Sequence, residues 1–144
     1  MHPITPYRPS LPSCRLVRAF GLALACTALA PLSHAASPAE LSANYATQAK
    51  AAGVAARGQL FFNSTHGKEW RCASCHGTEP TQTGKHAATG KPIGALAPAF
   101  NAERFTDAAK TEKWFRRNCN DVAGRECTAA EKADILSWLM TLKP

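Results

Sequence analysis

The sequence predicts an all-α fold, and three observations carry that reading. Two capping boxes open helices: Ser37-Pro38-Ala39-Glu40 and Thr128-Ala129-Ala130-Glu131 each set a hydroxyl three residues before a glutamate, so that side chains satisfy the orphan N–H groups of a first turn. Ile135, Trp138, Leu139 and Leu142 recur at helical spacing in the last stretch. No stretch shows the clean polar–apolar alternation of a half-buried strand.

Pro38 suits the first position of the first helix, which runs through an Ala-rich stretch to about Ala52; Gly53 kinks it or ends it. Helical pattern resumes from Val54 to Phe62, with Leu60, Phe61 and Phe62 as apolar anchors, and Asn63-Ser64-Thr65-His66-Gly67 reads as a turn. From Gly77 to about Phe105 the chain has no period and holds Gly77, Pro80, Gly84, Gly90, Pro92, Gly94 and Pro98. A loop that long in a small domain is usually functional or disordered, and a flat buried cofactor supplies a third explanation. Thr106 or Asp107 then caps a helix that carries Trp114 and Phe115 and runs to about Cys119. The helix ending near Phe62 is expected to cross the one holding Ile135 and Trp138, with Gly58 permitting the close approach.

The amino terminus reads as a targeting segment. Arg8, Arg15 and Arg18 are its only charges, an apolar run spans Leu16 to Leu32, and Ser33-His34-Ala35-Ala36 offers a small-residue exit. These are the parts of a secretory signal peptide, and the apolar run after Arg18 is short for a membrane span. Cleavage before Cys26 as a lipoprotein is disfavoured, because Ala23-Leu24-Ala25 is a poor approach. The expected organisation is a signal peptide over 1–35, a helical extension over 36–52 and one domain over 53–144, in a periplasmic protein. Removal of 1–35 takes three arginines and no acid, so the formal charge falls from +7 to +4. With no charge run or basic–aromatic stripe, nucleic acid is a poor partner. A membrane enters only indirectly, through redox partners. Four cysteines remain: Cys72, Cys75, Cys119 and Cys127.

Cys72-Ala73-Ser74-Cys75-His76 is a C-x-x-C-H sequence, the signature of c-type haem attachment. Two thiols one helical turn apart reach two vinyl groups on a porphyrin, and the following imidazole projects under the iron. The second ring nitrogen of such a ligand needs a fixing partner, and carbonyls near Pro92 or Pro98 are candidates. A thioredoxin-like pair would want a βαβ context that is missing, and Cys119 and Cys127 are too far apart for a usual zinc pair. In an oxidising compartment Cys119 and Cys127 are expected to bond each other, worth about 2.5 kcal/mol by the chain-entropy account. That bridge either staples the turn between two helices or stiffens the end of the Trp114 helix beside a haem ligand.

The sixth iron position is open at this level. Ordinary electron-transfer cytochromes c use methionine there. Here Met1 leaves with the signal peptide, and Met140 lies among core residues of the last helix. His66, His86, a weak oxygen or nitrogen ligand, or no ligand remain.

Lys113-Trp114-Phe115-Arg116-Arg117-Asn118-Cys119, Gly124-Arg125-Glu126-Cys127-Thr128 and the helix Glu131-Lys132-Ala133-Asp134-Ile135-Leu136 resemble the SHP-type monohaem cytochromes c. Pro98-Ala99-Phe100-Asn101 and Glu103-Arg104-Phe105-Thr106-Asp107 also fit, so the resemblance runs from about Arg57 to the C-terminus. It implies a class I cytochrome c-like helical fold around one covalently attached haem c. It implies His76 as proximal ligand, Asn118 as a displaceable distal ligand, and a Cys119–Cys127 disulfide beside the haem. In that family the asparagine ligates oxidised iron and moves off on reduction, leaving the haem open to O₂, NO or CO. The usual electron donor there is a dihaem cytochrome c, and another redox protein is the broader expectation. The segment Thr78 to Lys91 carries no such signal. Three functions follow as alternatives: a redox cytochrome with a switchable site and small-molecule chemistry, a bis-histidine electron shuttle through His66 or His86, and a gas sensor or store. Lys113, Arg116, Arg117 and Arg125 are expected to flank the haem edge and favour an acidic cytochrome partner.

Overall fold

The computed structural model describes residues 35–144. Residues 1–34, with nearly all of the expected signal peptide, lie outside the described residues. Five helices follow in order: α1 (Pro38–Ala49), α2 (Ala55–Asn63), α3 (Cys72–His76), α4 (Ala108–Ala123) and α5 (Ala129–Leu139). Between α3 and α4 lies a two-stranded antiparallel ribbon, β1 (Gly84–Lys85) and β2 (Pro92–Ile93), with Gly84 opposite Ile93 and Lys85 opposite Pro92. The ribbon was not expected from the sequence. Two-residue strands are too short to show alternation, and only the tertiary contacts of the loop define them.

Both capping boxes form. Ser37 Oγ accepts from the Glu40 N–H at 3.2 Å while the Glu40 carboxylate accepts from the Ser37 N–H at 2.7 Å; Thr128 and Glu131 repeat the exchange at 3.2 and 2.8 Å. α1 stops at Ala49, short of Ala52, because Lys50 turns left-handed (φ 53°) and donates its N–H to the Ala46 and Thr47 carbonyls. α4 overruns its expected end at Cys119 and continues to Ala123. Its stop is Gly124 at φ 69°, so Asn118 and Cys119 lie inside a helix, on backbone held by its hydrogen bonds. Asp107 caps α4, accepting from the Lys110 N–H at 2.9 Å.

The N-terminus of α2 has no side-chain cap of its own. Its place is taken from α5: the Val54 N–H donates to the buried Asp134 carboxylate at 2.5 Å, and Arg57 adds bonds from Nε and Nη2 at 2.8 and 2.9 Å. The two helices cross with their backbones touching, since a Cβ on Gly58 would overlap the Asp134 carbonyl. α1 and α2 both pack on α5, burying Leu41, Tyr45, Phe62, Ile135, Leu136, Trp138 and Leu139. Phe62 and Trp138 meet with ring centroids 5.0 Å apart. Burial of a side chain such as Phe62 or Leu136 contributes roughly 1.5–3 kcal/mol. Leu142 packs at the edge of the same cluster.

A polar triad ties α1 and α5 to α4. Glu112 accepts from the Tyr45 hydroxyl at 2.9 Å and from Lys132 Nζ at 2.5 Å, and Lys132 lies 5.3 Å from the Tyr45 ring centroid. Burial pushes the Glu112 carboxyl up, but the bonds from Lys132 and Tyr45 and the charges of Lys132 and Arg116 outweigh it, so its pKa sits below the usual range. A depressed folded pKa adds stability above the unfolded value of about 4.3 and loses it as pH falls through the folded one. The urea midpoint is therefore expected to fall between pH 6 and 3 more steeply in the parent protein than in Glu112→Gln. Equal slopes would show that the triad adds nothing pH-dependent.

Candidate haem site

α3 is a single turn that presents Cys72, Cys75 and His76. The Arg71 N–H donates to Ser74 Oγ at 3.2 Å at its start, and the Gly77 N–H donates to the Ala73 carbonyl at 2.9 Å at its end. The ribbon braces it from outside. Gly84 comes so close that a Cβ there would overlap the Cys75 carbonyl, and the Ala87 N–H lies 3.3 Å from Cys75 Sγ. Cys72 and Cys75 take no part in a disulfide. Burial pushes Cys72 up to about 11, its own backbone hydrogen bond opposing and Cys75 adding. A thiol so raised is the reverse of the acidic thiolate that dithiol redox enzymes use. Burial first, then the positive charge of Arg104, lowers His76 to about 4. The imidazole is thus held neutral, the form a metal requires.

These side chains line a cavity of about 960 Å³, near the top of the roughly 300–1,000 Å³ range of ligand sites. Its apolar walls include Phe62 from α2, Leu96 and Phe105 from the connecting loop, Phe115 from α4, and Ile135 and Leu139 from α5. Phe62 lies 6.0 Å from the His76 ring, centroid to centroid. Among the described residues no three His, Cys, Asp or Glu side chains converge to hold a bare metal ion. Two thiols, one neutral imidazole and a large apolar chamber fit a haem bound through its edge and its iron.

Of the sequence's candidates for the sixth position, Asn118 and His86 line this cavity. Asn118 comes from α4, a different helix from His76. His86 comes from the ribbon turn, its Nδ1 accepting from the Thr89 N–H at 3.2 Å. His66 faces another depression, stacked on Phe61 at 4.0 Å with Nε2 2.8 Å from the Phe61 carbonyl. Met140 caps α5 and is not among the cavity's lining residues. Cys119 and Cys127 form a disulfide with Cα atoms 5.6 Å apart, next to Asn118 in the chain.

The basic cluster is divided. Arg117 lines the cavity and lies 5.7 Å over the Trp114 ring. Arg125 turns away and pairs with Glu131 at 2.6 Å. The sequence assigned no role to Arg104. It donates to the Ala95 and Gly94 carbonyls at 2.9 and 2.7 Å and carries its charge to the cavity wall beside His76. In the sequence it is one residue of Glu103-Arg104-Phe105-Thr106-Asp107, and no local pattern shows that the loop folds back over α3. No carbonyl near Pro92 or Pro98 accepts from the His76 ring among the described residues.

A helical shell closed over such a chamber, with C-x-x-C-H on its wall, defines a c-type cytochrome. The family model described as a domain of unknown function, DUF1924, matches residues 47–139. Cytochrome c-type protein SHP of Cereibacter sphaeroides is 50% identical over 107 residues, covering 72% of this chain and 82% of that protein. The structure of oxidised SHP, an oxygen-binding cytochrome c, superposes with a TM-score of 0.71 at 47% identity, covering 75% of this chain and 99% of that one. The solution structure of cytochrome c'' of Methylophilus methylotrophus, which addresses haem-ligand detachment, gives a TM-score of 0.67 at 35% identity over 74% of this chain and 94% of that one. The chain belongs to the SHP-type cytochromes c, and it carries one covalent haem c. Among the described residues no helix is long and apolar enough to cross a membrane.

Proposed function

We propose that the chain is a periplasmic monohaem cytochrome that transfers electrons and binds O₂ or NO at a site guarded by a displaceable asparagine. Cys72 and Cys75 hold the haem, His76 is the proximal ligand and Asn118 the distal one. The bound haem supplies a one-electron redox centre with an iron face available to a small ligand. One observation carries the reading: His76 and Asn118, on separate helices, line one apolar cavity. The Asn118 amide is neutral and a weak ligand, so it can leave without breaking a strong bond. Its backbone lies within α4, and the disulfide beside it fixes that helix to the segment before α5, so the side chain remains in place to return. Oxygen binding by SHP and ligand detachment in cytochrome c'' support the same behaviour here. The electron donor is a dihaem cytochrome c or another redox protein. The chain organisation that goes with this reading is a signal peptide over 1–35, an extension over 36–52 and the cytochrome domain over 53–144.

His86 supports a second reading, since it lines the same cavity: a bis-histidine electron shuttle. Optical spectra of the holoprotein, oxidised and reduced, before and after carbon monoxide, separate the two. The asparagine site is expected to give a low-spin oxidised form and a high-spin reduced form that binds carbon monoxide. A reduced form that stays low-spin and ignores carbon monoxide would sink it in favour of His86.

A further inference from the structure

Val54, Leu60 and Trp114 are the exposed large apolar side chains among the described residues. Trp114 lines the haem cavity and Val54 stands at the entry to α2. That leaves Leu60, 69% exposed inside α2. Leu60 borders the second depression, a hollow of about 510 Å³ that shares no lining residue with the haem cavity. Phe61 and His66, stacked at 4.0 Å, form one wall of it, and Ala130 from the first turn of α5 adds to another. The bond between His66 Nε2 and the Phe61 carbonyl, 2.8 Å long, fixes the stacked wall. A lone exposed leucine is ordinary. A leucine standing beside an apolar hollow pairs a knob with a hole, the make-up of an interaction patch.

The charges around this hollow cancel. Arg57 pairs with Asp134 at 2.8 Å, and Glu131 pairs with Arg125 at 2.6 Å. The chain as a whole is basic, and Arg71, Lys91, Arg104, Lys110 and Arg117 line the haem cavity instead. Two copies of a basic chain repel in most orientations, and a face whose charges are paired is where they can approach. The same balance gives an acidic or a basic partner no advantage here. Arg57 and Arg125 remain half-exposed, so the rim offers cations and acids of its own to an identical rim. We propose that the face around Leu60 joins two copies of this chain in an isologous dimer. A two-fold axis beside Leu60 sets each leucine into the other copy's hollow and the cations of each rim against the acids of the other, the self-complementarity that such symmetry demands. One short helix and the first turn of another make a small interface, below about 1,200 Å². The dimer is accordingly weak, with a Kd on the order of 100 µM. Phe62, the residue after Phe61, is buried against Trp138 and His76, and α4 contributes nothing to the hollow. Dimerisation therefore backs onto the α2 wall and leaves Asn118 uncovered. It goes beyond the asparagine reading and stands whether or not Asn118 ligates the iron.

Sedimentation equilibrium of the oxidised holoprotein tests this. Between about 5 µM and about 1 mM the weight-average mass is expected to climb from the monomer's toward twice that value. Raising salt from about 50 to about 500 mM should tighten the association, because it screens the repulsion between two basic chains. Leu60→Glu is expected to weaken the association at least tenfold. Its melting temperature and optical spectra should match the parent's, since Leu60 is exposed and lies off the haem cavity. Lys113→Glu, on α4, should dimerise as the parent does. A parent that stays monomeric at about 1 mM overturns the proposal. So does a dimer that survives in Leu60→Glu, or one that salt dissociates. Two other occupants have their own signatures, and either overturns the dimer. A monomeric parent that binds phosphatidylcholine vesicles, with binding lost in Leu60→Glu, makes the face a membrane contact. A monomeric parent whose reduction by reduced flavodoxin slows in Leu60→Glu makes it a site for a different protein. Failure of the asparagine reading shows only in the carbon monoxide spectra, which leave the mass unchanged.

Discussion

Asn118→Ala is expected to convert the oxidised haem from six-coordinate low-spin to high-spin, while the reduced form keeps its capacity for carbon monoxide. The change is all-or-none because alanine has no atom to offer the iron, and the shell around it need not move. Among the described residues no hydrogen bond engages the Asn118 side chain, which lines the cavity. Alanine is also the better helix former in mid-α4, by roughly 0.7 kcal/mol at most. Stability should therefore hold or rise slightly, which separates loss of a ligand from loss of a fold. His86→Ala is the matched control and should leave both spectra as they were. The reverse pattern, with His86→Ala changing the oxidised spectrum and Asn118→Ala silent, would assign the ligand to the ribbon turn. An oxidised spectrum unchanged in Asn118→Ala removes that residue from the site.

Gly58→Ala is expected to lower the melting temperature of the holoprotein by roughly 8–16 °C, taking a net cost of about 2 kcal/mol and about 4–8 °C per kcal/mol for a domain of this size. Two effects oppose each other. Alanine favours the helix by about 1 kcal/mol over glycine. Against that, the new methyl overlaps the Asp134 carbonyl, a backbone atom that no rotamer change can move, and such overpacking costs about 3 kcal/mol, the upper end of its usual range. The cost spreads, because Asp134 also accepts the Val54 N–H and both Arg57 bonds; parting the helices weakens the substitute cap of α2. Phe62, which faces both Trp138 and His76, sits one turn further along α2, so the displacement reaches the cavity wall. Thermal unfolding followed by far-ultraviolet circular dichroism measures this. A melting temperature equal to or above the parent's would mean that the crossing has slack.

Much of the site was legible because its signals are local. C-x-x-C-H confines two thiols and an imidazole to one turn of chain, and that spacing points to a haem before any fold is known. The two capping boxes lie within four residues each and mark where α1 and α5 begin. The Asn-Cys and Gly-Arg-Glu-Cys stretches drew attention to Asn118 and to the disulfide. Asn118 by composition alone is an ordinary late-helix residue. It became a ligand candidate through a resemblance and through the want of a free methionine.

The sequence by itself determined the helical class, the haem-attachment motif and the short roster of residues able to reach an iron, since each depends on neighbours within about one turn. Only the tertiary structure decided among the roster. It set His66 against Phe61 and left Met140 off the cavity wall, while Asn118 and His86 came to the cavity of His76. It also recruited Asp134 as the cap of α2, brought Arg104 across to α3, turned Arg125 to Glu131 and drew the ribbon against Cys75. Each of those outcomes depends on where α2 crosses α5 and on how the loop after His76 folds back, and contacts between residues distant in sequence settle both.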